Sequence, residues 1–489
     1  MATHRTRFFA ASALAALLGA ALAHASPAAA AGSGSPVVKT LQGQLRGAAA
    51  DAMGEVWVYR GIPYAAPPIG ARRWREPQPA DHWRGIRAAT TPPPACMQQV
   101  VGSRLPWTSE YMHSGPVSED CLYLNVWSAA RTGMPRPVLV YIYGGGFNEG
   151  SSTVPIYDGT ALARRELVVV TFNYRLGALG FLAHPALTAE SPHHASGNYA
   201  LMDQVAALRW VHDNIQAFGG DPQRVTVVGQ SAGAISAYLL TASPLAAGLF
   251  AGAIFQSGPG ALAALGIPAR GAATPSEQDA EQEGVKFATS LGVTSLAQLR
   301  ALDAHRLLPS TQGPPVARFG PIVDGWLLSA DPGTVYAQHH ENDVPLIIGM
   351  MADEGSAFPG YQAARAAEPR RRGIEGIDEL LAHRAQGSRQ PAYAYYFEHP
   401  IPWPQHPEYA AFHSGELPYV FDNLALLERP WTAGDRALAS AVSSYWVQFA
   451  ATGRPEGTSL PPWPRYVPGS FNFMVFGAEA RVRDPRTPH

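Results

Sequence analysis

Five residues, Gly229-Gln230-Ser231-Ala232-Gly233, lie between a β-branched run, Val225-Thr-Val-Val228, and a helix-forming stretch that continues to Leu240. A chain that passes from a buried strand into a helix within so short a span holds its central residue in strained backbone geometry. Glycines two residues to either side leave room for that turn to pack. The serine hydroxyl then projects above the sheet. The helix that starts just after Ser231 aims unpaired backbone N–H groups, and the positive end of its dipole, at any charge that forms there. G-x-S-x-G alone can arise by chance in any glycine-rich chain. Flanked by one strand and one helix, it specifies a unit that presents a nucleophile.

The rest of the chain has the pattern that such a unit needs. Val138-Leu-Val-Tyr-Ile142 and Leu167-Val-Val-Val-Thr-Phe172 read as buried strands, and Leu346-Ile-Ile348 is a later short strand ending in Gly349. Between Asn198 and Ala217, Leu201, Val205, Leu208, Val211 and Ile215 recur at steps of three and four, so one helix face is apolar; Gly219-Gly220-Asp221-Pro222 stops it. Short strands alternating with longer helices predict a mostly parallel central sheet flanked by helices. With no internal repeat and no Pro/Ser-rich linker after residue 36, residues 37–489 are expected to form one domain with insertions. The arginine-rich run Arg365 to Arg372 reads as a solvated loop. Charged residues are only 15 % and hydrophobic ones 46 %, which excludes a disordered or fibrous chain. Lys and Arg number 36 against 38 Asp and Glu, so no broad field recruits nucleic acid or an anionic membrane.

The amino terminus reads as an address. Arg5 and Arg7 precede an apolar run from Phe8 to Ala23 of 16 residues, short of the roughly 20 that cross a bilayer. Ala23-His24-Ala25 offers a cleavage site after Ala25, with Ala29-Ala30-Ala31 as a second, and residues 26–36 form a flexible leader. A secreted or periplasmic protein follows, with no membrane association after cleavage. Export permits a disulfide, and Cys96 and Cys121 are the two cysteines available to form it.

A nucleophile that attacks a carbonyl needs donors for the oxyanion. Tyr143-Gly144-Gly145-Gly146-Phe147 follows the strand ending at Ile142, and its glycines let the backbone approach a ligand with N–H groups exposed. Gly61-Ile-Pro-Tyr-Ala65, Ser118-Glu-Asp-Cys-Leu-Tyr-Leu-Asn-Val-Trp127, Gly144-Gly145-Gly146, Asn173-Tyr-Arg-Leu-Gly177, Phe218-Gly-Gly-Asp-Pro222, Gly229-Gln-Ser-Ala-Gly233 and Gln256-Ser-Gly258 follow one another in that order. In these motifs, and from about Val38 to Gly453, the chain resembles the type-B carboxylesterase family, the α/β-hydrolases that include cholinesterases and bacterial esterases.

The resemblance implies a serine esterase with an α/β-hydrolase fold whose insertions form the pocket walls. Among 16 histidines, His413 is singled out because Phe412-His-Ser-Gly-Glu-Leu-Pro-Tyr-Val-Phe421 resembles the family's catalytic-histidine segment and comes late in the chain. The acid loop is matched by Gly349-Met-Met-Ala-Asp-Glu-Gly-Ser356, whose family Glu falls on Glu354; neighbouring Asp353 is its rival, since either carboxylate could orient an imidazole. Asp324 reads as a turn residue, and the pairs His193-His194 and His339-His340 as exposed loops rather than metal ligands. Ser231 would attack an ester carbonyl, His413 would carry its proton, Glu354 would orient His413, and amides of Gly145, Gly146 and Ala232 would hold the oxyanion. This chemistry requires no metal and no organic cofactor, and its partner is a small-molecule ester.

Three departures from the family bear on the substrate. Gln230 stands where many members carry Glu, which makes the pocket less negative. Tyr111, ten residues before Cys121, stands where cholinesterases place the tryptophan that stacks on choline, which disfavours a choline-ester specialist. Glu354 and His413 are only 59 residues apart, shorter than is usual in the family, which predicts a more open entrance and bulkier uncharged esters. Trp107, Phe358 and Trp403 could line the site, although core packing is the commoner role of an aromatic. A catalytically inactive binding domain, and a lipase, thioesterase or specialised ester hydrolase, are the alternatives; the intact Ser231, Glu354, His413 and triple glycine speak against the first.

Overall fold

A computed structural model describes residues 36–129, 133–265, 274–308 and 319–487. The expected signal peptide, and the leader up to residue 35, lie outside the described residues. Among those described, eleven strands form one sheet. They are β1 (Ala48–Ala49), β2 (Val56–Pro63), β3 (Tyr123–Ala129), β4 (Arg136–Ile142), β5 (Val168–Phe172), β6 (Gly220–Gln230), β7 (Gly252–Gln256), β8 (Leu346–Met351), β9 (Ala392–Phe397), β10 (Phe473–Phe476) and β11 (Ala480–Arg483). Their order is β11-β10-β9-β8-β7-β6-β4-β5-β3-β2-β1. From β10 to β5 every neighbour pair is parallel. The antiparallel pairs lie at the two ends.

Strands β4, β5, β7 and β8 are buried along their whole length. A parallel strand covered on both faces has no polar side to show, which is why these read as continuous apolar runs rather than alternating ones. Strand β6 is longer than the β-branched run Val225–Val228, because Gly220 also pairs with Arg136 and the register shifts between Gly220 and Val225. Helix α1 (Tyr199–Asn214) covers the expected apolar stripe and passes into a 3-10 turn, Ile215–Phe218, which Gly219 ends at φ 78. Helix α2 (Ala232–Ala242) leaves β6 through the serine turn.

The loop expected at Arg365 to Arg372 is instead the start of a helix, α3 (Ala367–Arg384). Pro369 falls in its first turn, where a missing backbone N–H leaves no intrahelical bond unmade. Ile374, Ile377, Leu380 and Leu381 form its buried face. The arginines concealed the period because Arg371 points to solvent, paired with both Glu368 and Glu375. Helix α4 (Ala433–Thr452) opens on a capping box made by Thr432 and Asp435. No helix among the described residues is long and apolar enough to cross a membrane.

Cys96 and Cys121 form a disulfide. Two residues beyond Cys96, the Gln98 amide donates to Gly150 O at 2.7 Å and accepts from Gly150 N at 2.8 Å, so the bridged segment anchors the far end of the glycine loop. Reduction is expected to destabilise the fold by about 3 to 4 kcal/mol through the entropy returned to the unfolded chain. Thermal melts with and without a thiol reductant measure it; coincident melts would show that the bridge contributes nothing.

Candidate active site

Ser231 sits in the turn between β6 and α2 at φ 57 and ψ −124, a left-handed conformation that a serine adopts only under constraint. Its N–H donates to Gln256 O on β7 at 2.9 Å. The flanking glycines are steric necessities. A Cβ at Gly229 would stand 2.0 Å from the Gly233 carbonyl oxygen, and one at Gly233 would stand 2.0 Å from that of Ile142, at the end of β4. No larger side chain fits either place. Ser231 itself is half-buried, so its hydroxyl is reachable.

The glycine loop after β4 lies against this turn: a Cβ on Gly144 would be 2.9 Å from Ser231 Cβ. Gly145 and Gly146 take φ 106 and φ 61. Among the described residues, no hydrogen bond uses the N–H groups of Gly145, Gly146 or Ala232. The loop is held from below by side chains that the sequence placed in a family motif without giving them a task. Tyr174 stacks on Tyr143 with ring centroids 4.5 Å apart and donates its hydroxyl to Tyr143 O at 2.7 Å. Asn173 Oδ1 accepts from Ser152 N at 2.8 Å, just past the loop. Arg175 forms a buried ion pair with Asp203 on α1, with Nε to Oδ2 at 2.8 Å and Nη2 to Oδ1 at 2.7 Å. Neither Gln98 nor Asp203 carries a local sequence signal of this work.

His413 and Glu354 are brought together. Glu354 opens a 3-10 turn (Glu354–Ala357) after β8, and its Oε2 pairs with His413 Nδ1 while its Oε1 accepts from Met351 N at 2.9 Å. Both side chains are nearly fully buried. Their meeting is set one residue earlier, where Asp353 bridges to Phe412: Asp353 N donates to Ala411 O at 3.1 Å, and Ala411 N donates to Asp353 Oδ2 at 3.3 Å. Asp353 spends its other oxygen on Tyr361, which donates at 2.7 Å, and on Arg370 of α3. The two acidic neighbours therefore divide the work, Glu354 facing the imidazole and Asp353 tying the histidine segment to the acid turn. Asp324 caps a turn, accepting from Trp326 N and Leu328 N. His193, His194, His339 and His340 are exposed.

On its other side, His413 Nε2 faces the amide of Gln230, with Gln230 Nε2 at 3.2 Å; no hydrogen bond to Ser231 Oγ occurs among the described residues. Burial pushes the His413 imidazolium down, but the charge and hydrogen bond of Glu354, with the charge of Glu416, outweigh it and hold the pKa above 6.5. Phe358, 39 % exposed, lies with its ring 5.6 Å from that of His413, and Trp107 packs edge-on against Phe358 at 5.6 Å. These two aromatics border the site. Trp403 stacks away from it, on Arg429, His406 and Tyr409.

The family model described as the carboxylesterase family matches residues 34–376 and 372–488. A fumonisin B1 esterase of Sphingopyxis macrogoltabida is 38 % identical over 478 residues, covering 88 % of this chain and 85 % of that protein. The para-nitrobenzyl esterase of Bacillus subtilis (strain 168) is 34 % identical over 497 residues, covering 92 % and 97 %. A human cocaine esterase is 32 % identical over 497 residues, covering 89 % and 86 %. With a mostly parallel sheet and a serine turn of this geometry behind them, these matches place the chain in the carboxylesterase family, hydrolases of carboxylic esters built on the α/β-hydrolase fold.

Proposed function

We propose that the chain hydrolyses uncharged carboxylic esters through an acyl-enzyme formed on Ser231. The observation that carries this reading is the buried His413–Glu354 pair, with the turn of Ser231 next to it through Gln230. Glu354 holds the hydrogen on Nδ1 of His413, which leaves Nε2 unprotonated; once it turns from the Gln230 amide to Ser231, it accepts the Ser231 proton as Oγ attacks the carbonyl. The imidazolium so formed is balanced by the Glu354 carboxylate and gives its proton to the departing alcohol. Water then repeats the cycle on the acyl-enzyme. The unengaged amides of Gly145, Gly146 and Ala232 are the donors suited to the tetrahedral oxyanion, each worth roughly 3 kcal/mol of barrier.

The substrate reading rests on the entrance. His413 returns its proton to the leaving alcohol, so Phe358 and Trp107 beside it form an apolar wall on that side. With the short span between Glu354 and His413, this favours bulky, uncharged alcohols and acyl groups. The residues from 37 onward act as one domain in this reading, supported by a sheet whose strands come from Ala48 to Arg483. Secretion is proposed from the amino-terminal pattern, and the disulfide is in keeping with it.

A panel of chromogenic esters of rising acyl and alcohol size, followed before steady state, tests both parts. A burst of one alcohol per enzyme, and activity sustained into large esters, is expected. Turnover without a burst even when deacylation is slowed, or a sharp cut-off at the smallest esters, would contradict the respective part.

A further inference from the structure

The lone pair of the proposed base is already occupied. Nδ1 of His413 faces the Glu354 carboxylate, which only accepts, so Nδ1 carries the hydrogen and Nε2 presents a lone pair. The group that meets this lone pair is the Gln230 amide nitrogen, 3.2 Å away, which only donates. That contact fits the neutral ring. An imidazolium, whose Nε2–H would point at another donor, would be met only if the amide turned Oε1 to the ring and away from its place beside Gly144.

Gln230 is 3 % exposed and immediately precedes Ser231, so the backbone turn that places the nucleophile also places this donor. The amide is packed against the glycine loop, where a Cβ on Gly144 would come within 3.1 Å of Gln230 Oε1. We propose that Gln230, by donating its amide hydrogen to Nε2, holds His413 neutral in the productive tautomer and extends the enzyme's activity toward acid pH. The inference rests on His413 being the base of the reading above.

The groups around the ring define what Gln230 opposes. Glu354 faces it from the turn after β8 and Glu416 from its own segment, and both carboxylates favour the imidazolium. Glu416 is buried, accepts from Gln256 Nε2 at 3.3 Å through Oε1, and has no partner for Oε2 among the described residues. Burial first, and then the charge of Glu354, push its carboxyl up to about 7. Tyr395 of β9 lies in the field of both carboxylates, and burial keeps it neutral. Phe358 and Trp107 add no charge. Gln230 is thus a positioning residue that acts through His413, and Gln230→Glu would set a third carboxylate against the imidazole.

The test is kcat/KM against pH, with the rate of Ser231 labelling by a neutral phosphonate, for the wild type and Gln230→Glu, each also on a Glu416→Gln background. The acid limb of Gln230→Glu is expected to move up by about 1 to 2 pH units, and by the same amount when Glu416 is replaced. An unmoved limb with labelling intact overturns the role of Gln230 and leaves the base assigned. Labelling at Ser231 that shows no histidine-like titration in the wild type overturns the assignment of the base itself. Imidazole nitrogen-15 shifts of wild-type His413 need no variant to fold: above the limb, a protonated Nδ1 and a bare, hydrogen-bonded Nε2 are expected, and a protonated Nε2 overturns the proposal.

Discussion

Replacing Ser231 with Ala is expected to lower kcat roughly a million-fold while leaving the fold intact. In the proposed mechanism the hydroxyl is the attacking group, so its loss removes the covalent route rather than weakening it. What remains is the stabilisation that the site gives to uncatalysed water attack. Ala and Ser meet the same steric cost at φ 57, so the turn between β6 and α2 loses no stability by the exchange. Circular dichroism and the melting temperature should therefore match the wild type. An unfolded variant would show that the hydroxyl is needed for structure, and a fully active one would remove Ser231 from the mechanism.

The second large effect is expected at Glu354. Glu354→Gln should lower kcat by about 10³- to 10⁴-fold with little change in KM. Its amide can donate toward Nδ1, which turns the imidazole to the wrong tautomer, and it cannot balance the imidazolium that forms during attack. Comparison with Asp353→Asn decides between the two acidic neighbours. Asp353 is engaged by Arg370, Tyr361 and Ala411, so its replacement should fall on stability more than on kcat. A larger loss of kcat at Asp353 than at Glu354 would reverse the assignment.

How far the sequence reaches depends on how local the physics is. The turn at Ser231 was legible because its requirement is local: two glycines whose Cβ atoms would collide with backbone, between a run of β-branched residues and a helix. The strands β4 and β5 were legible for the same reason, since burial on both faces leaves nothing but apolar side chains. The meeting of Glu354 with His413 was not. It depends on an Asp353–Phe412 bridge between segments far apart in the chain, and only the family motif pointed to it. Helix α3 was misread as a loop because arginine ion pairs on its outer face masked the apolar period of its inner one.

The aromatics show the same division. Composition alone made core packing the default for Trp107, Phe358 and Trp403; it fails for Phe358, while Trp107 packs against both the core and the Phe358 ring, and Trp403 packs with Arg429, His406 and Tyr409. Phe358 is exposed beside His413, with Trp107 packed on it and donating to Ser414 Oγ at 3.4 Å. Nothing in the local sequence distinguishes them from core residues, because their position follows from where the acid turn and the histidine segment meet. The contact of Gln230 with His413 was hidden likewise; the sequence announced only that a neutral amide stands where a carboxylate is common.

The most direct measurement of the central claim is covalent labelling by an uncharged phosphonate ester, read by peptide mass after digestion. One adduct per chain on the peptide holding Ser231 is predicted, with the labelling rate falling as His413 takes up a proton and activity vanishing in proportion to the label. An adduct on any other residue, or a protein fully labelled at Ser231 that still hydrolyses esters, would contradict the account.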